Sequence, residues 1–353
     1  QHSKNGLPKW MGVGPVNAIT QINPLYKNIV APLARYYDDP TTVEVRLNGP
    51  GRIVVDRRGI GKKLVEDPSL TQAAIETLCK SLSNVRGLNF DPDSNPILST
   101  ALDEGHRFEC LVGPSVRSGL SLAIRCKHPF TPTWGDLIPN LKAGDNDYLD
   151  DALERRKIRC EDEIKALLIE AMVEGWNIAI SGGTNTGKTT LLNLLLSSVA
   201  DYVRVVALED TGELFLDRFW DGNGLLAARE SDSGTGMVDW RRLFDHVNRI
   251  TPDRVPFGEI STKNAFAVLG TLNAGATGVS FTIHSTNPKH AIHRKFDQNI
   301  AWAGMKMDRV PEFLTEMVDL VVQLKRDPDG YRRITDIWQP RNDNFILKDG
   351  KAA

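Results

Sequence analysis

The run Gly182-Gly183-Thr184-Asn185-Thr186-Gly187-Lys188-Thr189-Thr190 constrains this chain more than any other segment. It fits G-x-x-x-x-G-K-[ST], in which glycines let successive backbone N–H groups turn inward around phosphates. The flanks agree with the pattern. Asn177-Ile178-Ala179-Ile180-Ser181 reads as a buried strand, and Leu191-Leu192-Asn193-Leu194-Leu195-Leu196 as a helix packed on a sheet. A helix starting at the loop adds the partial positive charge of its N-terminus. The pattern places Lys188 on the β- and γ-phosphates and the Thr189 hydroxyl on Mg²⁺.

A chain of 353 residues exceeds one ordinary core, so two domains are expected. Hydrophobic residues make up 41% and charged residues 25%, a globular balance. The net charge of −2 argues against coating nucleic acid through bulk charge. No apolar run approaches the roughly eighteen residues of a membrane span, and no signal peptide is read. Cys79, Cys110, Cys126 and Cys160 lie far apart without a C-x-x-C, so reduced, buried thiols are expected rather than a zinc or disulfide framework. The expectation is a soluble protein of a reducing compartment, peripheral to any membrane it meets.

Four parts are expected: an extended arm over residues 1–24, an α+β domain over 25–130, a linker over 131–155 and an α/β domain over 156–353. Helical spacing marks Tyr26 to Tyr37 and Leu70 to Leu82. Thr42-Val43-Glu44-Val45-Arg46-Leu47 alternates as a half-buried strand, followed after a turn by Arg52-Ile53-Val54-Val55-Asp56. Arg107 to Val112 and Leu120 to Arg125 alternate again. Beyond the glycine loop, strand and helix alternate: Tyr202 to Leu208, Trp240 to Arg249, Arg254 to Phe257, Asn264 to Asn273, Val279 to Ile283. Such alternation predicts a mainly parallel sheet with helices on both faces.

Ligands of open α/β sheets bind at the carboxyl ends of the strands, so polar residues that follow strands are the candidates. Glu209-Asp210, with Glu213 close behind, are placed to hold Mg²⁺ or polarise a water. Glu259 is placed to orient an attacking water. Thr282 and His284 share one side of a strand, and a neutral imidazole at its end is suited to sense a γ-phosphate.

The order phosphate loop, Glu209-Asp210-Thr211-Gly212-Glu213-Leu214, Pro252-Asp253-Arg254…Gly258-Glu259, then Gly278…Thr282-Ile283-His284 resembles the secretion traffic ATPases, which carry Walker A, an aspartate box, Walker B and a histidine box in that sequence. Within them it looks most like the ATPase of type IV secretion and plasmid conjugation. Asp39-Pro40-Thr41-Thr42-Val43-Glu44-Val45, Asn48-Gly49-Pro50-Gly51-Arg52-Ile53 and Ala123-Ile124-Arg125 look like that family's N-terminal domain. The resemblance implies a RecA-like ATPase domain, ATP and Mg²⁺, and a homo-hexameric ring. It implies catalytic roles for Glu259, Lys188, Glu209 and His284, with Thr189, Glu209 and Asp210 around Mg²⁺. Nucleotide is expected between the two domains, with Arg107 and Arg125 reaching the phosphates through their planar forks. Expected partners are other secretion components at the cytoplasmic face of the inner membrane. No sequence-specific nucleic-acid binding is expected.

The chain also departs from the family pattern. Pro256 interrupts the Walker B strand, which predicts local irregularity or an edge position. Ile260-Ser261-Thr262 stands where a branched residue and Arg-Gly are usual, and Asp245 and Thr251 stand where arginines are frequent. Asn185 replaces a smaller residue. A type II secretion or pilus ATPase is the nearest alternative, although the tetracysteine module of many of those is lacking. A nucleotide-gated scaffold with little turnover is the alternative of a different class.

Overall fold

The computed structural model describes residues 24–128, 161–227, 238–326 and 332–352; the expected linker and all of the expected N-terminal arm but Pro24, which opens a helix, lie outside them. The N-terminal part begins with α1 (Pro24–Tyr37) and continues through β1 (Thr42–Leu47), β2 (Arg52–Arg57), β3 (Gly61–Glu66), α2 (Gln72–Arg86), β4 (Ile97–Ala101), β5 (Arg107–Val112) and β6 (Leu120–Arg125). Its strands form one antiparallel sheet in the order β3-β2-β1-β6-β5-β4. The boundaries of α2 have local causes. Thr71 Oγ1 accepts from Ala74 N at its start, and Gly87 (φ +64°) closes it in the left-handed region. Tyr26, Leu33, Tyr37, Ile75 and Leu82 pack this helical layer onto Val45, Leu47 and Ile53.

The opposite face of that sheet is covered by the second domain. Strand β1 is therefore buried on both faces rather than half-buried: Val45 and Leu47 join the helical core, while Glu44 and Arg46 are buried as well. Arg46 pairs with Glu44 (2.6 Å), Asp56 (3.3 Å) and, in the second domain, Asp221 (3.0 Å). Asp221 also holds Arg204 at 2.7 Å, and Asn48 hydrogen-bonds both Arg204 and Asp221. The polar stripe of β1 is one side of an ionic seam between domains.

The second domain contains α3 (Glu161–Glu174), β7 (Ile178–Gly182), α4 (Lys188–Leu196), β8 (Val205–Glu209), β9 (Gly222–Leu226), α5 (Trp240–Val247), β10 (Val255–Ile260), α6 (Ala265–Asn273) and β11 (Val279–His284). Helices α7 (Pro288–His290), α8 (Phe296–Trp302) and α9 (Val310–Met317) follow, then β12 (Leu320–Arg326), β13 (Arg332–Gln339), β14 (Asn344–Lys348) and β15 (Lys351–Ala352). The sheet order is β15-β14-β13-β12-β7-β11-β10-β8-β9. From β12 to β9 all neighbours are parallel, and β12 to β15 are antiparallel. The parallel strands β7 and β8 are buried throughout, as expected where helices cover both faces.

Pro256 lies on β10, an interior strand and not an edge. The other half of the expectation holds, because β10 is irregular. Val255 N donates to Gly278 O on the β11 side, so alternation turns the Pro256 nitrogen toward β8. On that side β10 pairs only at Phe257↔Leu208, with an isolated bridge at Val205↔Arg254. The interior strand tolerates a proline because its missing donor falls where the ladder is already thin.

Candidate functional site

Four strand ends converge: β7 running into the glycine loop, then β11, β10 and β8 in spatial order. The loop is shaped by sterics. A Cβ on Gly182 would stand 2.4 Å from Thr186 Oγ1 and 2.9 Å from Leu324 O, so only glycine fits. Gly187 (φ +89°) and Asn185 (φ +58°) both take left-handed backbone, which asparagine tolerates better than most residues. Gly183, Thr184 and Asn185 are exposed at the rim, as is Thr190, while Thr186 and Lys188 are buried and Thr189 is half-buried. Thr186 Oγ1 donates to Gly183 O (3.0 Å), closing the loop on itself.

Lys188 Nζ donates to Gly183 O (3.0 Å) and lies 3.2 Å from His284 Nδ1. His284 Nε2 lies 2.7 Å from Glu259 Oε1. Thr282 Oγ1 donates to Gly258 O (2.6 Å), fastening β11 to β10 just below this chain of contacts. The sequence-predicted Lys188, at the start of α4, thus meets His284 of β11, which in turn meets Glu259 of β10. Burial pulls the Lys188 ammonium below the usual lysine range, with the Glu259 carboxylate opposing the shift.

Glu209 ends β8 completely buried. Its Oε1 accepts from Glu213 N (2.8 Å) and Leu214 N (2.9 Å), which folds the segment after β8 into a turn around the carboxylate. Oε2 has no hydrogen-bond partner among the described residues; Arg117 Nη1 lies 3.6 Å from it. Burial holds the Glu209 carboxyl above the usual carboxylate range, against the two amide donors and Arg117. Asp210 beside it is exposed. The orphaned Glu209 Oε2 and the half-buried Thr189 hydroxyl are oxygen donors of the kind a hard cation takes. Thr189, Glu209 and Asp210 are the residues that the family resemblance assigns to Mg²⁺.

Arg107 and Arg125 face each other across β5 and β6, both exposed, at the strand ends opposite the loop joining those strands. Neither makes a hydrogen bond or ion pair to the phosphate loop among the described residues. Among the described residues, the N-terminal arginine that reaches a candidate site residue is Arg117, which comes from that connecting loop and lies beside Glu209. A second unforeseen residue is Arg332 of β13, whose Nε and Nη2 donate to Asn185 O (3.1 Å) and Asn185 Oδ1 (2.8 Å). No local pattern marks either arginine, since each acts through a contact distant in sequence.

Elsewhere, Cys79 and Cys110 are buried as expected, but Cys126 is only half-buried. It sits with His106 and His128, their ligating atoms within 4.8 Å of one another. Nδ1 of His106 already accepts from Lys127 N (3.0 Å), so the neutral ring carries its proton on Nε2. Only two of the three groups present a free donor atom for a metal.

A parallel-sheet core, a glycine loop opening a helix, and carboxylates at neighbouring strand ends define a phosphate-loop nucleoside-triphosphatase. Residues 152–329 match the family model described as type II/IV secretion system protein. The conjugal transfer protein TrbB of Rhizobium radiobacter is 34% identical over 304 residues, covering 85% of this chain and 84% of that one. Protein VirB11 of the same organism is 25% identical over 332 residues, covering 90% and 94%. The crystal structure of the VirB11 ATPase from the Brucella suis type IV secretion system, in complex with sulphate, superposes with a TM-score of 0.76 at 22% identity, covering 90% and 95%. The chain belongs to the type II/IV secretion system protein family and is one of its ATPases. Among the described residues no helix is long and apolar enough to cross a membrane.

Proposed function

We propose that this chain hydrolyses Mg-ATP as one subunit of a homo-hexameric ring. The ring works at the cytoplasmic face of a type IV secretion or conjugation machine, peripheral to the inner membrane, and powers pilus assembly or substrate transfer. The observation that carries the chemistry is the Lys188–His284–Glu259 connection, because it joins the phosphate-binding lysine to a carboxylate at the end of a neighbouring strand. In this reading Glu259 orients a water and accepts its proton as the water oxygen bonds to the γ-phosphorus. The bond from that phosphorus to the bridging oxygen breaks, and ADP and phosphate leave. Lys188 and the loop amides hold the charge of the phosphates, and His284 registers their presence. Mg²⁺, when bound, neutralises phosphate charge.

Arg107 and Arg125 are assigned to the phosphates by family resemblance. That contact needs a domain arrangement other than the one described, either through movement or through a neighbouring subunit.

Phosphate release from the purified protein with Mg-ATP, compared with Glu259→Gln and Lys188→Ala and read beside its mass in solution, tests this. Turnover lost in both variants, from a particle near six subunits, supports the motor. The irregular β10 around Pro256 favours one second reading, a nucleotide-gated scaffold, which predicts ATP binding with no turnover in the parent.

A further inference from the structure

The loop joining β5 to β6 is seated on the free edge of the second domain's sheet. Gly113 (φ +89°) and Gly119 (φ +80°) close it through a Gly113 N to Gly119 O hydrogen bond of 3.0 Å. Val116 forms an antiparallel bridge with Leu225 of β9. Arg117 N donates to Gly224 O (2.8 Å), and Leu226 N to Ser115 O (2.7 Å). Strand β9 is the last of its sheet, and this loop covers an edge that would otherwise stand open.

The seat continues into a slot for one side chain. A Cβ on Gly224 would lie 2.4 Å from Arg117 Cδ, and one on Gly212 would lie 3.3 Å from Arg117 Nε. Two glycines on different segments leave room for one arginine stem. At its end Arg117 Nη1 donates to Leu214 O (2.6 Å) and lies 3.6 Å from Glu209 Oε2. One cation therefore holds both sides of the turn: the carboxylate that Glu213 N and Leu214 N bind, and the carbonyl of Leu214 itself. Glu209 has no other cation within ion-pair distance among the described residues.

We propose that Arg117 is a positioning residue through which docking of the N-terminal domain sets the Glu209–Leu214 turn, and with it the hydrolytic competence of the site. Peeling the loop from β9 withdraws the guanidinium and leaves the buried carboxylate without its cation. The turn then loses its fixed shape while the phosphate loop, which Arg117 does not touch, is unchanged. This rests on the ATPase reading above.

The test uses the full chain and four variants: Arg117→Ala, Arg117→Lys, Gly224→Ala and the double Arg117→Ala/Gly224→Ala. The expected result for Arg117→Ala is a fall in kcat of about tenfold or more with KM within about threefold, in a chain that melts below the parent but stays folded at the assay temperature. Arg117→Lys recovers part of the rate, because a lysine keeps the charge but loses the fork. Gly224→Ala reproduces the loss by filling the slot, and the double variant is no worse than either single. Hydrogen exchange at the Glu213 and Leu214 amides quickens in Arg117→Ala. Unchanged kcat and exchange in that variant, or strictly additive losses in the double, would overturn the proposal. A parent without turnover defeats the ATPase reading, and amide exchange then decides this one alone.

Discussion

Lys188 Nζ sits 3.2 Å from Nδ1 of His284, and that pairing fixes the tautomer of the ring. An ammonium can only donate, so Nδ1 accepts and the neutral ring carries its proton on Nε2, aimed at Glu259 Oε1 at 2.7 Å. The phosphate-binding lysine and the candidate water-orienting carboxylate are thus linked through one imidazole. A phosphate that draws Lys188 away removes the donor at Nδ1 and loosens what Nε2 holds. His284→Ala cuts this link without touching the loop. Its expected outcome is a fall in kcat of about tenfold or more with nucleotide affinity within about threefold. Single-turnover phosphate release and titration with a fluorescent ATP analogue check the two halves.

Asn185 takes a left-handed backbone at a loop position where a smaller residue is usual, and Arg332 fastens it by carbonyl and side chain together. The pair accounts for the substitution: asparagine strains the backbone more than glycine does, and the arginine holds it in place. Arg332→Ala is expected to weaken nucleotide binding by about fivefold to tenfold. Asn185→Gly should be nearly silent, and Asn185→Gly/Arg332→Ala should bind more tightly than Arg332→Ala alone, since glycine adopts the conformation unaided. Equal weakening in the single arginine variant and the double would sink this account.

The phosphate loop, the parallel core and the meeting of Lys188, Glu259 and His284 were legible because each rests on local pattern: an apolar run, a glycine spacing, a polar residue just past a strand. Strand β1 shows where legibility ends. Its alternation of Val45 and Leu47 with Glu44 and Arg46 predicts a solvent face, yet that face meets another domain, and periodicity alone cannot distinguish water from a matching set of charges. Arg117 and Arg332 escaped for a related reason. Their partners, Glu209 and Asn185, are far away in sequence, and no local spacing encodes such a contact. The strands from β12 onward were not anticipated either, although the run Leu320-Val321-Val322 is the apolar signature of one.

The ionic seam between the domains predicts a stability effect. Arg204 is fully buried and Arg46 nearly so, and both rely on Asp221, which is itself fully buried. Asp221→Ala leaves two buried guanidinium groups undercompensated, a loss of about 3–5 kcal/mol. Urea unfolding of the full chain should show a lowered midpoint, with little rescue by salt because the groups are out of reach of screening ions. A change below about 1 kcal/mol would mean that water replaces Asp221 at the seam.

Glu209 supplies a pH signature of opposite sense to a paired surface carboxylate. Burial raises its carboxyl above the ordinary value, the amides of Glu213 and Leu214 and the nearby Arg117 only partly opposing this. The folded chain therefore binds this proton more tightly than the unfolded chain does. The contribution to stability is fully present below the unfolded value near 4.5 and is lost as the pH rises through the folded value. Glu209→Gln removes the ionisation while keeping an oxygen for the two amides. It is expected to melt above the parent at pH 7, with the difference shrinking as the pH is lowered toward 4.5. The same variant should lose hydrolysis, because a neutral amide brings no negative charge to a cation or to a polarised water. A melting difference that is flat with pH would show that Glu209 titrates alike in both states, and that the buried carboxylate is fully compensated by its surroundings.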